Sequence, residues 1–209
     1  MLKILGRKNS SNVMKVLWCC DELGIPFERE DYGGKFGKTR DPEYLAMNPN
    51  ARVPTIIDGD LVLWESNSII RYLANKYGDG SLYPADPGER ARGERWMDWQ
   101  LSVLNGAIHG MFWGLVRTKP ADRDMDHIRA SRQATADALA MLDTFLGRTD
   151  FVCGARFTIC DIPVGIYTYR WFNLDVDGTP REDMPNLQRW YGALCERPAY
   201  QQHVMQPLT

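Results

Sequence analysis

The 209-residue chain predicts an α/β unit followed by an all-α unit. Three observations carry this. Up to about Gly78, apolar runs of strand length alternate with segments whose apolar residues recur at helical spacing. The stretch 79–88 is rich in Gly, Pro and Asp, which reads as a linker. Beyond it the apolar residues recur only with helical period. The expected division is therefore residues 1–78, a linker at 79–88, and a helical domain at 89–209.

Leu2 to Leu5 reads as the first strand, and Val13 to Leu23 as a helix with apolar residues on one face. Phe27 to Asp31 reads as the next strand. Thr55 to Asp58 and Leu61 to Trp64 are two short apolar runs separated by Gly59-Asp60, a hairpin signal, so they are expected to pair antiparallel. Pro54 opens the first of these strands, where a proline removes no ladder bond. The Val53–Pro54 bond is also a place where a cis peptide costs little. A cis bond there would leave the Val53 N–H and C=O free to pair with an extended peptide by strand addition. Ser66 is expected to cap a helix whose apolar face carries Ile69, Ile70, Leu73 and Tyr77.

In the second half, Trp96 to Leu115 reads as one long helix and His127 to Leu146 as another. Thr158-x-x-Asp161 has the form of a capping box with Asp in place of Glu or Gln, starting a helix through Ile166 to Trp171. Leu187 to Cys195 marks a shorter helix, and Pro198 starts a last one.

Composition removes several function classes. A net charge of −2 with scattered Lys and Arg gives no footprint for nucleic acid. No segment reads as a signal peptide or a membrane span, so a soluble, cytoplasmic protein is expected. The five cysteines are odd in number and include no C-x-x-C, which fits a reducing compartment and argues against a dithiol oxidoreductase. Most of them are expected to be small core residues. His109, His127 and His203 lie far apart without a second ligand at metal-binding spacing, so no metal is expected. Gly33 to Lys38 lacks the spacing and the Ser or Thr of a phosphate loop.

The residues that carry chemistry sit at predicted element ends. Ser10, Ser11 and Asn12 precede the first helix, where unpaired N–H groups and the dipole favour an anion. A thiolate is such an anion, and a hydroxyl donor at a helix start lowers a thiol pKa from about 8.5. The same three residues also suit simple capping. Glu65 could accept from a ligand ammonium while Ser66 holds a ligand carboxylate, the pattern of an amino-acid head-group site. A Glu stabilising a helix dipole beside a capping Ser is the alternative.

Taken together, four pieces resemble the glutathione transferase family. They are Ser11 four residues before Lys15, the Asn48-Pro49-x-x-x-Val53-Pro54 turn, Glu65-Ser66-x-x-Ile69-x-x-Tyr72-Leu73, and Phe151 to Ile162 with its Thr158-x-x-Asp161 box. They occur in the family's order and span essentially the whole chain. The nearest resemblance is to cytosolic bacterial members of theta-like or nu-like type that use Ser or Asn. The resemblance implies a thioredoxin-like N-terminal domain that binds glutathione, an all-helical domain contributing the acceptor site, and a homodimer. It implies no cofactor, glutathione being a co-substrate, and as second partner a hydrophobic electrophile or small disulfide.

Residue by residue, the resemblance puts the glutathione sulfur at Ser11, with Ser10 and Asn12 as neighbours. It puts the peptide on Val53 and Pro54, the head group on Glu65 and Ser66, and the glycine carboxylate near Lys35, Lys38 or Arg52. Met111, Phe112, Trp113 and Arg117 are the expected acceptor wall. Asn12 and Ala51 depart from the usual serine-class pattern, and Asn12 opens the choice between conjugation and glutathione-dependent reduction of disulfides or peroxides. A non-catalytic interaction module of the same shape is a further alternative. A reductase using a protein cysteine would need Cys at position 10 or 11, where this chain has Ser.

Overall fold

The computed structural model of the chain describes residues 1–209. Its first part is a four-stranded mixed sheet with strand order β2-β1-β3-β4, built from β1 (Leu2–Leu5), β2 (Phe27–Glu30), β3 (Thr55–Asp58) and β4 (Leu61–Trp64). β1 runs parallel to β2, which requires the crossover supplied by helix α1 (Ser11–Glu22), and antiparallel to β3. β3 and β4 form the hairpin that Gly59-Asp60 predicts, with Thr55 opposite Trp64 and Asp58 opposite Leu61. Helix α2 (Pro42–Met47) and helix α3 (Ser66–Tyr77) complete a thioredoxin-like unit. The Val53–Pro54 bond is cis.

Everything after Gly78 is helical or loop. Helix α4 (Pro87–Trp99) continues through a π turn at Gln100–Leu104, helix α5 (Asn105–Phe112) and a second π turn at Trp113–Arg117. The helix begins inside the stretch read as linker, because Pro87 occupies its first turn and the Asp86 carboxylate accepts from the Glu89 N–H at 2.7 Å. Helix α6 (Met125–Leu146), α7 (Asp161–Asn173), α8 (Pro185–Cys195) and α9 (Pro198–His203) follow. α5 and α6 pack against each other, and no helix is long and apolar enough to cross a membrane.

Two capping expectations are corrected. Ser66 is the first residue of α3 rather than its cap; the capping position falls on Glu65, whose backbone has φ 72°. At α7 the Asp161 carboxylate does reach back to the Thr158 N–H at 2.9 Å, as a capping box requires. The Thr158 hydroxyl, however, accepts from the Cys160 N–H at 3.3 Å, so it closes the turn that precedes α7.

The two parts meet along α1. Its buried face carries Val13, Val16, Leu17, Trp18 and Cys20, and it packs on α3, α7 and α9. Trp18 is fully buried between Phe157, with ring centres 5.5 Å apart, and Tyr200 at 4.8 Å. Glu22 at the end of α1 pairs with Arg197, whose guanidinium lies 3.8 Å over the Phe157 ring. Aromatic burial of this kind fixes the C-terminal half of α1 against the helical part.

Candidate functional site

Gly6 ends β1 where three elements converge. A Cβ there would lie 2.5 Å from the Val13 side chain and 3.3 Å from Val53, so only glycine lets the start of α1 approach the turn before Pro54. Ser11 is the first residue of α1 and Ser10 stands at its cap, with no side-chain cap bond. The Met14 N–H reaches the Ser10 carbonyl at 2.8 Å, which leaves the N–H groups of Ser11, Asn12 and Val13 ahead of the helix's own bonding pattern.

The start of α3 faces the start of α1. Ser66, 3% exposed, donates its hydroxyl to the Asn12 amide oxygen at 3.3 Å. Two helix N-termini, each a concentration of unpaired donors and positive dipole, are thereby joined. Glu65 holds an exposed carboxylate beside them on backbone at φ 72° and ψ 106°. For a side-chain-bearing residue that conformation costs about 1–3 kcal/mol and is characteristic of functional positions.

Val53 is the third member. Neither its N–H nor its C=O bonds to another backbone group, so both remain available to an extended ligand. The turn is braced behind it: the Arg52 carbonyl accepts from the Tyr44 hydroxyl at 2.6 Å and from Asn48 at 2.7 Å. Tyr44 stacks on Tyr32 at 5.2 Å, and the Lys38 ammonium lies 4.9 Å over the Tyr32 ring. Lys38, at φ 66°, and the Arg52 side chain are both exposed at this edge.

Lys15 is the functional candidate that the sequence reading passed over. It lies one turn into α1 from Ser11 and is completely buried. Its ammonium donates to Asn67 Oδ1 at 3.0 Å and Gln100 Oε1 at 2.8 Å, tying α1 to α3 and to the π turn after α4. Burial pulls its pKa down to about 7; Glu65 opposes that shift and Arg170 and Arg71 add to it. A signal was available: Lys15 is the one charge in the apolar run from Val13 to Cys20.

The expected acceptor wall is only partly assembled. Phe112 does face the seam between the two parts, lining a small cavity with Met14, Ile166 and Leu208, and the Arg170 guanidinium stacks 3.8 Å from its ring. Met111 is 1% exposed and packs in the core against α6, where its N–H donates to Ser131 at 2.8 Å. Trp113 is 54% exposed and stacks on His109 at 5.5 Å, lining a different cavity with His127 and Ile128. Arg117 donates to the Thr209 carbonyl at 2.5 Å, and Thr209 is held from the other side by Asn9 at 2.7 Å. The roomier opening, about 370 Å³, lies beside this seam and is lined by Lys8, Asn9, Met14, Arg29, Lys35 and Phe36 among others. No group of three or more His, Cys, Asp or Glu side chains is arranged to hold a metal ion.

A thioredoxin-like sheet, two facing helix starts and an appended helical domain define a class, and comparison with known proteins agrees with it. The model of the glutathione S-transferase N-terminal domain matches residues 2–75, and that of the C-terminal domain matches residues 125–193. The chain belongs to the glutathione transferase family. It is 44% identical to the glutathione S-transferase GstB of Escherichia coli K12, with all of both chains covered. It is 34% identical to glutathione S-transferase D7 of Drosophila melanogaster, over 80% of this chain and 72% of that protein. Among solved structures, the theta class glutathione S-transferase of Xanthomonas axonopodis pv. citri with glutathione bound is 47% identical, with a TM-score of 0.94 over 100% of this chain and 99% of that one. Its apo form superposes with a TM-score of 0.86 at 43% identity, over 100% of this chain and 98% of that one.

Proposed function

We propose that this glutathione transferase binds glutathione across the facing starts of α1 and α3, ionises its thiol, and directs the thiolate at an electrophilic small molecule. The observation that carries the reading is the Ser66–Asn12 hydrogen bond at 3.3 Å, which joins two anion-favouring helix termini with Ser11 at the first position of one of them. Glutathione supplies the nucleophile, so the protein's work is to bind, orient and hold charge. Ser11 donates to the sulfur, with Ser10 and Asn12 shaping the turn. Val53 pairs with the peptide backbone beside Pro54. Glu65 and Ser66 take the γ-glutamyl ammonium and carboxylate, and Lys38 or Arg52 the glycine carboxylate. Phe112, with Arg170 stacked on it, offers the apolar side of the acceptor site at the seam. Residues 1–78 then act as the glutathione-binding domain and 89–209 as the source of the acceptor site, in a cytoplasmic homodimer.

The test is Ser11→Ala. One hydrogen bond to a charged sulfur is worth about 1.5–3 kcal/mol, about one to two pKa units of the bound thiol. The pH profile of turnover with an activated aryl halide should shift upward by that amount while the variant still binds immobilised glutathione. An unshifted profile, with activity lost instead in Ser10 or Asn12 variants, moves the sulfur to one of those residues. Assays with an organic hydroperoxide and a small mixed disulfide, run beside the aryl halide, identify the reaction the acceptor site serves.

A further inference from the structure

Outside the region of the facing helix starts, two cysteines meet against α4 at Gly93. Gly93 stands in the middle of that helix, where glycine is less favourable than alanine. A Cβ at Gly93 would lie 2.7 Å from the Cys160 sulfur and 2.9 Å from the Cys153 sulfur. Both sulfurs therefore crowd one point on the helix surface, within a few ångströms of each other, and the missing methyl is the room they occupy.

The two thiols differ in the way a reacting pair requires. Cys153 is partly exposed, on a tight turn closed by paired bonds between Phe151 and Gly154, and its thiol reaches the Glu89 carbonyl at 3.3 Å. Cys160 is fully buried at the start of α7. The Cys160 thiol faces Cys153 and lowers its pKa, while Cys153 and burial raise that of Cys160. Of the two, Cys153 is thus the thiol nearer the surface and the more readily ionised, and Cys160 is the inner one that holds its proton.

We propose that Cys153 and Cys160 form a redox site, distinct from the Ser11 region, in which Cys153 attacks a small disulfide such as oxidised glutathione and Cys160 resolves the adduct. In the first step the Cys153 thiolate bonds to one sulfur of the small disulfide, whose S–S bond breaks, and a thiolate leaves with the electron pair. In the second, the Cys160 sulfur bonds to Cys153 and expels the second thiolate, which takes up the proton that Cys160 gives up. One small disulfide is reduced to two thiols and the protein pair is oxidised by two electrons to a Cys153–Cys160 disulfide. This chemistry needs no cysteine at position 10 or 11, nor a C-x-x-C.

The test uses the full chain incubated with oxidised glutathione, quenched with an alkylating reagent and analysed by mass spectrometry. Arg156 lies between the two cysteines, so trypsin separates them and the disulfide appears as two peptides linked through sulfur. The expected result is that linked pair in the wild-type protein, removed by dithiothreitol. Cys160→Ser should accumulate at least tenfold more glutathione on Cys153 than the wild type, and Cys153→Ser should form neither product. A lasting glutathione adduct on wild-type Cys153, a bond to Cys19, Cys20 or Cys195 instead, or an unmodified pair overturns the proposal. The wild-type mapping decides the matter even if a variant does not fold.

Discussion

Lys15 and Asp161 each have zero exposure, one in each half of the molecule, and neither contacts a counter-charge. Asp161 is the first residue of α7, where the helix dipole favours an anion, and its oxygens accept from the Val152 N–H at 3.0 Å, the Thr158 N–H at 2.9 Å and the Trp190 indole at 2.9 Å. Lys15 sits near the start of α1, the end of a helix where the dipole disfavours a cation, and has two neutral amide oxygens for three ammonium hydrogens. Burial raises Asp161 to about 6 against the pull of its donors, and lowers Lys15 to about 7. The acid is placed with the local field and fully bonded, as a structural group is. The base is placed against it, beside the candidate site, which is where locally unfavourable choices concentrate.

The greater loss should follow replacement of Asp161. Asp161→Ala strands two backbone N–H groups and the Trp190 indole in the core, each costing about 1–3 kcal/mol, so a loss of about 3 kcal/mol or more is expected in urea unfolding. Asp161→Asn sharpens the electrostatic part. A carboxyl whose folded pKa is raised stabilises the fold below its unfolded value, near 4, and that contribution is lost as pH rises through about 6. The variant should therefore lose the fall in stability between pH 4 and 6 that Asp161 contributes to the wild type. An unchanged slope would mean that Asp161 is not the titrating group.

Lys15→Met is expected to cost less, about 1–3 kcal/mol at pH 7, because two amide oxygens lose a donor while an expensive buried ammonium is removed. Its signature is the opposite pH slope. With a folded pKa of about 7 and an unfolded one near 10, the unfolded chain binds more protons between those values, so wild-type stability gains from Lys15 as pH rises from 7 towards 10. In Lys15→Met that gain should vanish. Melting curves at pH 7 and 9 for both proteins check it, and equal gains in the two would remove Lys15 from the account.

The same pair shows why the fold was more legible than the site. Apolar periodicity placed β1, α1, α6 and α8, the Gly59-Asp60 turn placed the β3–β4 hairpin, and the Thr158-x-x-Asp161 box and Pro198 placed α7 and α9. α2 was missed since six residues are too few to show a period, and the start of α4 was hidden in a Gly- and Pro-rich stretch. The two helix starts could be read from local residue types to within two residues, the first being expected at Val13 and Ser66 being expected as a cap rather than a first residue. What those starts lean on could not: Lys15 bonds partners 52 and 85 residues away, and Arg170 reaches Phe112 from another helix. Met111 and Trp113 show the same gap from the other side, since two residues of helix phase decide between core and solvent.

The smallest expected effect tests whether unfavourable local choices really mark this site. Glu65 carries φ 72° in the cap of α3, and glycine would adopt that backbone without a Cβ penalty. Glu65→Gly relieves strain of about 1–3 kcal/mol but adds backbone freedom to the unfolded chain, so a net gain of about 1 kcal/mol or less is expected. Glu65→Gln keeps the strain and removes only the charge. Both variants should lose retention on immobilised glutathione, and only the glycine variant should melt higher. If Glu65→Gly kept full retention, the carboxylate would not be held for a ligand ammonium, and the contrast between a bonded acid at α7 and strained groups at α1 and α3 would reduce to one of stability alone.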